Sequence, residues 1–205
     1  MAVDIQVFSD FIRPYCYMAH SSLERLKQAR DVRVRWMSYE LRPERDYTPE
    51  EQQSMAAYKQ KVAAGWPRVV AMAETYGLKF GARNANSKSR LALEAAKFAE
   101  DAGRDAEYVP LLFSAHFVEG RDLSDRAVLV ELAQAAGMDS AALDQALRAR
   151  DYKTRVEQEL ALGFMYRLSG VPAFIIGSKY LVTGAQPLEL LTQVVDKCIV
   201  EGATA

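Results

Sequence analysis

The sequence predicts an α/β protein in which one β-sheet is divided along the chain by a long helical insertion. β-prone patterns occupy residues 3–8 and 32–41 on either side of a helical stretch, and β character returns only after Gly170. Residues 49–168 are instead rich in Ala, Leu, Glu, Arg and Gln, which mostly favour helices. Neither β segment is large enough to be stable alone, so we expect both to share one sheet.

The N-terminal segment has the pattern of a strand–helix–strand unit. The run VDIQVF at residues 3–8 is β-prone and leads into a loop that contains Pro14. From Cys16 onward, apolar residues recur at helical spacing. Residues 32–41 then begin by alternating apolar with charged side chains, as in a half-buried strand. Such a unit pairs its two strands in parallel.

The middle of the chain is predicted to form about six helices, because breaks separate its helical patterns. The breaks fall at residues 65–67, residues 77–86, Gly103, Gly120 and Gly137. No period repeats, which excludes a solenoid. We therefore assign residues 49–168 to a helical insertion domain, and residues 1–48 together with 169–205 to the domain that holds the sheet.

The C-terminal segment has the pattern of a β-hairpin followed by a helix. Residues 173–176 form an apolar strand, residues 177–179 a turn and residues 180–182 the returning strand. The last helix carries apolar residues on one face. Pro187 suits its first turn.

Composition excludes several classes of function. The formal net charge of −1 over 205 residues, with Lys and Arg scattered, argues against nucleic-acid binding. No apolar stretch approaches the ~20 residues of a membrane helix, and the N-terminus lacks a signal peptide pattern, so a soluble cytoplasmic protein is expected. Two cysteines and two histidines without metal-pair spacing predict no disulfide scaffold, no metal site and no tightly bound cofactor.

Two short motifs carry the chemistry. RPYC at residues 13–16 lies between a strand and a helix, and GVPA at residues 170–173 directly precedes a strand. Together with the phrases SDFIRPYCYMA, HFVEGRDLSD and VTGAQP, this layout resembles the DsbA family of oxidoreductases, and more specifically its cytoplasmic FrnE-like branch. The resemblance covers nearly the full chain. It implies a thioredoxin fold with an inserted all-helical domain, and thiol–disulfide oxidoreductase activity.

The motif departs from the family pattern at one position. The resemblance assigns catalysis to Arg13, Pro14, Tyr15, Cys16 and Pro172. Arg13 stands where the first cysteine is expected, so this motif cannot form an internal disulfide. Cys16 holds the second, normally shielded place at a helix N-terminus, where the helix dipole and the Arg13 charge are expected to lower the pKa of its thiol. A route through a mixed disulfide with glutathione is open if Cys16 is reachable.

The resemblance also implies a binding surface around the proline. Pro172 is expected to be cis, which would leave the backbone of Val171 to pair with a peptide or with glutathione as an added strand. A trans proline that begins an edge strand is the alternative. Arg13 could hold a carboxylate of glutathione.

The loop before the last helix is a second candidate binding element. Its N–H groups could bind an anion, and it consists of Gly184, Ala185 and Gln186. In the related kappa-class glutathione transferases and hydroxychromene carboxylate isomerases, the matching loop holds the glutamyl end of glutathione. Those relatives carry Ser where this chain has Arg13. The alternative is that Gln186 only caps a helix.

Other residues could serve the site or simply pack. Cys198 lies in the apolar stripe of the last helix and is expected to be inert. His20 could tune Cys16 but is more typical of a packed histidine, and His116 is expected to pack. Two further sets could either line a cleft between the domains or serve only local structure. One is the aromatic set Trp66, Tyr76 and Phe80, and the other is the predicted helix start with Asn84, Asn86, Ser87 and Arg90.

These residues are compatible with three functions, and the fold alone does not decide among them. The first, which we predict, is a thiol–disulfide oxidoreductase that uses Cys16. The second is a glutathione-dependent isomerase or transferase in which Arg13, Val171 and Gln186 hold the tripeptide. The third is a peptide-binding module without catalysis. The expected partner is a small thiol or a protein or peptide substrate, and a homodimer is compatible with the sequence.

Overall fold

Both ends of the chain contribute strands to one sheet, and a series of helices separates those strands in sequence. The computed structural model describes residues 2–41, 43, 46–81 and 84–203. Its elements are β1 (Val3–Ser9), α1 (Pro14–Ala29), β2 (Val32–Ser38), α2 (Pro49–Thr75), α3 (Arg90–Asp101), α4 (Asp105–Phe117), α5 (Arg126–Ala135), α6 (Ser140–Ala149), α7 (Lys153–Met165), β3 (Ala173–Ile176), β4 (Tyr180–Thr183) and α8 (Leu188–Val200). The α/β class with a helical region is confirmed.

The sheet has the strand order β2-β1-β3-β4, with β1 and β3 in the interior. β1 pairs in parallel with β2, and in antiparallel with β3, where Phe8 lies opposite Ala173. β3 and β4 form the antiparallel hairpin. Val3, Ile5 and Val7 are almost fully buried, so β1 contributes one whole face to the core. The predicted parallel unit, the hairpin and the shared sheet are confirmed.

The first and last helices pack together. The guanidinium of Arg30, just after α1, donates to both carboxylate oxygens of Asp196 in α8, at 2.6 and 2.9 Å. Cys198 is fully buried, with its sulfur 3.8 Å from the carbonyl oxygen of Ile176. This environment matches the packing role that the sequence favours for Cys198.

An aromatic cluster joins α1 to the helical region. The ring of Tyr17 stacks on Phe80, Phe113 and Phe117 with centroid distances of 5.3–5.8 Å. Trp66 in α2 stacks on Phe80 at 5.6 Å. The packing interpretation of Trp66 and Phe80 is therefore confirmed, and stacked rings of this size contribute beyond their buried area.

Two helix boundaries differ from the sequence prediction. The sequence predicted a break at residues 65–67, but α2 runs unbroken through them. Pro67 removes one N–H donor from the helix and does not end it. A break that the sequence did not predict occurs at Arg150, which ends α6 in the left-handed region with φ 60°. The side chain of Arg150 donates to both carboxylate oxygens of the buried Glu94, at 2.9 and 2.6 Å.

A buried ion pair fixes the helical region to the sheet. Lys97 in α3 is only 1% exposed, and its ammonium donates to Glu159 in α7 at 3.0 Å and to Glu100 at 2.9 Å. Glu159 also accepts the backbone N–H of Ser38, at 2.7 Å, so the pair reaches the end of β2. No helix within the described ranges is long and apolar enough to cross a membrane.

Candidate functional site

The RPYC motif forms the turn between β1 and α1 and the first turn of that helix. Arg13 is the N-cap residue, with an extended backbone, and Pro14 occupies the first helical position. Proline is suited to this position because its missing N–H would have no helical partner. The N–H of Cys16 donates to the carbonyl of Arg13 at 3.0 Å, which places the thiol inside the first turn. Tyr15 is 42% exposed.

Cys16 is shielded from solvent. Its residue is 0% exposed, and this burial raises the pKa of its thiol to about 12. The Asp10 carboxylate raises the pKa further, whereas the Asp10 backbone, the Ser9 hydroxyl and the Arg13 charge lower it by less than burial raises it. The predicted activation of this thiol by the helix terminus and Arg13 is therefore wrong, because the cost of burying a thiolate is larger.

A buried carboxylate organises the turn. Asp10 is 0% exposed and accepts the backbone N–H groups of Ile12 and Leu41, each at 3.2 Å. Its second oxygen lies 3.4 Å from Nε of Arg13. The sequence gives little indication of Asp10, whose only signal is a polar residue directly after a buried strand.

The proline motif lies at the same edge of the sheet as the turn. The Val171–Pro172 peptide bond is cis, the isomer favoured from the sequence. Because Ala173 lies opposite Phe8, Pro172 comes next to the end of β1, where the chain enters the RPYC turn. Among the hydrogen bonds of the described residues, none involves the backbone N–H or C=O of Val171.

Several groups of the loop before α8 already have partners within the protein. The N–H of Gly184 donates to the carbonyl of Pro172 at 2.8 Å, so it is not available to an anion. The hydroxyl of Tyr76 donates to Ala185 at 3.1 Å, and the side chain of Gln186 donates to Thr183 at 2.7 Å. Gln186 does not cap the helix either, because Pro187 is the N-cap residue of α8.

A cavity of about 810 Å³ opens on the Arg13 side of the turn. Its lining comes from the turn, α2, residues 84–88 and α4. The lining residues are Ile12, Arg13, Pro43, Tyr47, Met55, Tyr58, Lys59, Gln60, Val62, Ala63, Asn84, Ala85, Asn86, Ser87, Lys88 and His116. We refer to this space as the basic cavity, since its described lining contains three cations and no Asp or Glu.

The basic cavity gathers only part of the predicted site. Asn84, Asn86 and Ser87 line it, as the sequence suggested for a cleft. Arg90 instead binds Glu40, with its Nε donating at 2.7 Å. The other predicted binding residues are outside the lining and lie along the β3–β4 side: Val171, Pro172, Gly184, Ala185 and Gln186.

The two histidines occupy different environments. His20 is 7% exposed and packs near Trp36 and Phe113, and burial lowers its pKa to about 4. The packed interpretation of His20 is confirmed. His116 is 2% exposed yet lines the basic cavity, which the sequence did not indicate. In the described part of the chain, no group of His, Cys, Asp or Glu is arranged to hold a metal ion.

Several residues of the cavity carry no recognisable sequence signal. Lys59 and Tyr58 lie on α2 among many polar residues, where a lysine is ordinarily a solvated side chain. Lys88 lies in the segment before α3. Only the tertiary packing of α2 beside residues 84–88 brings these side chains to the turn that holds Arg13.

The chain is similar in sequence and in fold to known proteins of one family. The family model of the DSBA-like thioredoxin domain matches residues 4–196. The uncharacterised protein YwbO of Bacillus subtilis is 31% identical over 180 residues, which span 86% of this chain and 88% of that protein. A probable DsbA oxidoreductase from Streptomyces coelicolor superposes with a TM-score of 0.83 and 29% identity, over 97% of this chain and 91% of that one. The cytosolic disulfide reductase DsbM from Pseudomonas aeruginosa, solved with GSH, gives a TM-score of 0.69 and 20% identity, over 93% of this chain and 98% of that one.

Proposed function

This chain belongs to the DSBA-like thioredoxin domain family, and on that basis we propose that it is a thiol-dependent oxidoreductase of the DsbA/FrnE type that uses glutathione as its reactive thiol. The substrate in this proposal is a disulfide. The protein binds and orients the two reactants, and Cys16 is not the attacking group.

The burial of Cys16 is the observation that carries the proposal. An attacking sulfur must be a thiolate and must be accessible. With 0% exposure and a pKa of about 12, Cys16 meets neither condition in this structure. A free thiol with a pKa of about 8.5 is a few per cent thiolate at neutral pH, so glutathione in solution is a better nucleophile.

The proposed reaction is two successive exchanges. A glutathione thiolate attacks one sulfur of the substrate disulfide, a new S–S bond forms, and the other substrate sulfur leaves as a thiolate and takes up a proton. A second glutathione thiolate attacks the glutathione sulfur of this mixed disulfide and releases the remaining substrate thiol. Two electrons pass from two glutathione molecules to the substrate, and glutathione disulfide is the product.

Arg13 is the residue to which we assign the stabilisation of the reacting sulfur. Its side chain is 16% exposed and contributes to the wall of the basic cavity. A nearby guanidinium favours the thiolate over the thiol and can bind a carboxylate through two N–H groups. The backbone of Val171, at the same edge of the sheet, offers a donor and an acceptor to the peptide part of glutathione.

The cellular setting belongs to the same proposal. Glutathione keeps small thiols reduced in the cytoplasm, and the sequence predicts a cytoplasmic protein. The likeness to DsbM, which was solved with GSH, shows a shared fold and agrees with this choice of co-substrate.

The test is reduction of bis(2-hydroxyethyl) disulfide by glutathione, coupled to glutathione reductase and NADPH. We expect Cys16→Ala and Cys16→Ser to keep most of the activity. Arg13→Gln should lose about tenfold or more in kcat/KM, or about 1.4 kcal/mol of transition-state stabilisation. Arg33→Gln is the matched control, since Arg33 is exposed on β2 and binds Asp4 at 2.9 Å.

Two results would contradict the proposed function. Loss of activity in both folded Cys16 variants would show that Cys16 reacts directly, as in the first function considered from the sequence. A wild-type protein without glutathione-dependent activity would contradict the proposal and favour a peptide-binding module.

A further inference from the structure

We propose that the first part of α2, residues 49–64, is a lid over the basic cavity that moves about a hinge at residues 65–67. We refer to residues 49–64 as the arm. When the arm closes, its apolar face covers the side of the RPYC turn that holds Arg13. The inference concerns access to the cavity, and it does not depend on the thiol reaction proposed above.

The second part of α2 is firmly attached to the rest of the protein. The ring of Trp66 stacks on Phe80 with a centroid distance of 5.6 Å, and Ala73 is fully buried. Just after the helix, the carbonyl of Tyr76 accepts the hydroxyl of Ser21 in α1 at 2.7 Å. This part of the helix therefore moves with α1 and the sheet.

The arm has little cover from the rest of the protein. All 27 residues of α2 are described, and among them only Ala73 is buried. Every residue of the arm is exposed or half-buried. The capping box that begins the helix is local, because it joins Thr48 to Glu51. A segment with so little buried surface opens at a low cost in free energy.

The boundary between the two parts carries two residues that weaken a helix. Pro67 has no N–H to donate to the carbonyl of Ala63, and an interior proline is a common cause of a kink. Gly65 adds backbone freedom, and a Cβ at its position would meet nothing within 4 Å. The helix is thus weakest where its attached part meets its uncovered part, as a hinge requires.

The arm supplies one wall of the basic cavity. The α2 residues of the described lining all precede the hinge, and they are Met55, Tyr58, Lys59, Gln60, Val62 and Ala63. Met55, Tyr58 and Val62 share one face of the helix, because they are three or four positions apart. Met55 and Val62 are half-buried and Tyr58 is 43% exposed, so this apolar face is only partly covered. Closing the arm toward Ile12 would remove it from water, which is favourable.

The dimensions allow such a movement. A helical arm of this length extends about 24 Å from the hinge, so a change of about 20° in the kink moves its tip by about 8 Å. At the other end, the N–H of Leu41 is held by Asp10 at 3.2 Å, and residues 42–48 lie between this fixed point and α2. A connection of this length can follow the tip of the arm.

The test measures distances between two nitroxide labels by double electron–electron resonance on the full chain without added ligand. The labels are attached to introduced cysteines in a Cys16→Ser, Cys198→Ala background. With labels at the exposed residues Gln53→Cys on the arm and Gln145→Cys on α6, we expect two distances that differ by about 7 Å. With Glu74→Cys, after the hinge, in place of Gln53→Cys, we expect a single distance. A single narrow distance for the Gln53→Cys pair would overturn the lid.

A proline variant tests the hinge. Pro67→Ala supplies the N–H that the carbonyl of Ala63 lacks, so the two distances of the arm label should become one. Pro110→Ala is the matched control, because it removes an interior proline from α4 and should leave both distances in place. Two distances that persist unchanged in Pro67→Ala would overturn the hinge.

A second pair of variants tests whether the arm closes on the cavity. Met55→Gln, Val62→Gln makes the apolar face polar and should remove one of the two distances, because closing no longer buries apolar surface. Ala57→Gln, Ala64→Gln has the same spacing at exposed residues outside the lining and should retain both distances. The same response from both double variants would show that the arm does not close through its apolar face, and would overturn the proposal.

These measurements are independent of the proposed function. They contain no glutathione and no disulfide substrate. A rigid arm in a protein that reduces disulfides with glutathione would overturn the lid alone. A mobile arm with the expected response to Pro67→Ala, in a protein without thiol activity, would support the lid and contradict only the proposed function.

Discussion

Nε of Arg13 lies 3.4 Å from a carboxylate oxygen of Asp10, a residue with no exposed surface. The guanidinium of Arg13 is therefore anchored to the turn from within the protein. The same carboxylate accepts the N–H groups of Ile12 and Leu41 and acts on the thiol of Cys16. Asp10 thus links the shape of the turn to the electrostatics of Arg13 and Cys16.

Replacing Asp10 with Asn tests this link. We expect the pKa of Cys16 to fall, because the negative charge that opposes its ionisation is gone, but to stay above its ordinary value because Cys16 is buried. Stability should fall by about 1–3 kcal/mol, since an amide replaces a buried charged acceptor. The pH dependence of alkylation in a Cys198→Ala background and urea unfolding measure the two effects. Asp151→Asn, at an exposed residue, is the control.

Both thiols are expected to resist alkylation in the folded protein. Burial raises the pKa of Cys16 to about 12 and also raises that of Cys198. Relative to a free thiol of pKa about 8.5, the thiolate fraction of Cys16 at pH 8 is lower by about a thousandfold. Iodoacetamide labelling followed by mass spectrometry, with the urea-unfolded chain as the reference, measures the ratio. Equal rates in the two states would show that Cys16 is accessible.

His20 should make the fold less stable in mild acid. Burial lowers the pKa of its imidazole to about 4, whereas in the unfolded chain it titrates near 6.5. Between these values the unfolded state binds a proton that the folded state does not, so stability falls as pH decreases, by up to about 3 kcal/mol. Urea unfolding at pH 7 and pH 4.5 should show this loss in wild type and a smaller one in His20→Phe. An identical loss in both proteins would assign it to other groups.

The stability of the fold should depend strongly on keeping both charges of the buried Lys97–Glu159 pair. Lys97→Met should cost about 3–5 kcal/mol, because Glu159 at 5% exposure is left without its closest cation. Adding Glu159→Gln should restore part of this loss, since the amide still accepts the N–H of Ser38. Lys153→Met is the control, because Lys153 and Glu157 form an exposed pair at 3.9 Å worth less than ~1 kcal/mol. A double variant less stable than Lys97→Met would contradict the argument.

Two glycines should respond in opposite directions to Ala. A Cβ at Gly163 in α7 would lie 2.8 Å from the ring of Tyr39, whose hydroxyl donates to Leu168, so Gly163→Ala should cost about 1–3 kcal/mol. A Cβ at Gly65 in α2 would meet nothing within 4 Å, so Gly65→Ala should stabilise by about 0.5–1 kcal/mol. Thermal unfolding of the two variants measures the difference, and equal shifts would contradict it.

The sequence was sufficient for the sheet because its signals are local. The alternation in residues 32–38 and the apolar run at residues 173–176 each specify a strand, and a sheet of this size needs both ends of the chain. Helix boundaries depended on longer-range contacts. Arg150 ends α6 with φ 60° while its side chain binds Glu94, a partner 56 positions away that no local pattern reveals.

The motifs predicted where two residues lie but not the environment of the thiol. Cys16 lies in the first turn of a helix and Pro172 follows a cis bond, as expected from the sequence. The state of the Cys16 thiol depends on burial, which only the packed structure shows. The basic cavity could not be predicted from the sequence, because Arg13, Lys59 and Lys88 are far apart in the chain and each resembles an ordinary surface cation. Tertiary packing alone gives these three charges a common cavity.

The position of β1 between β2 and β3 has a consequence for synthesis of the protein on the ribosome. β1 leaves the exit tunnel before the helical region does, and its second neighbour, β3, is made only after that entire region. Until then, one edge of β1 is unpaired and its apolar residues lack part of their cover. A nascent chain that stops before residue 173 therefore carries an open, aggregation-prone edge, and synthesis of β3 and β4 converts it into the finished sheet.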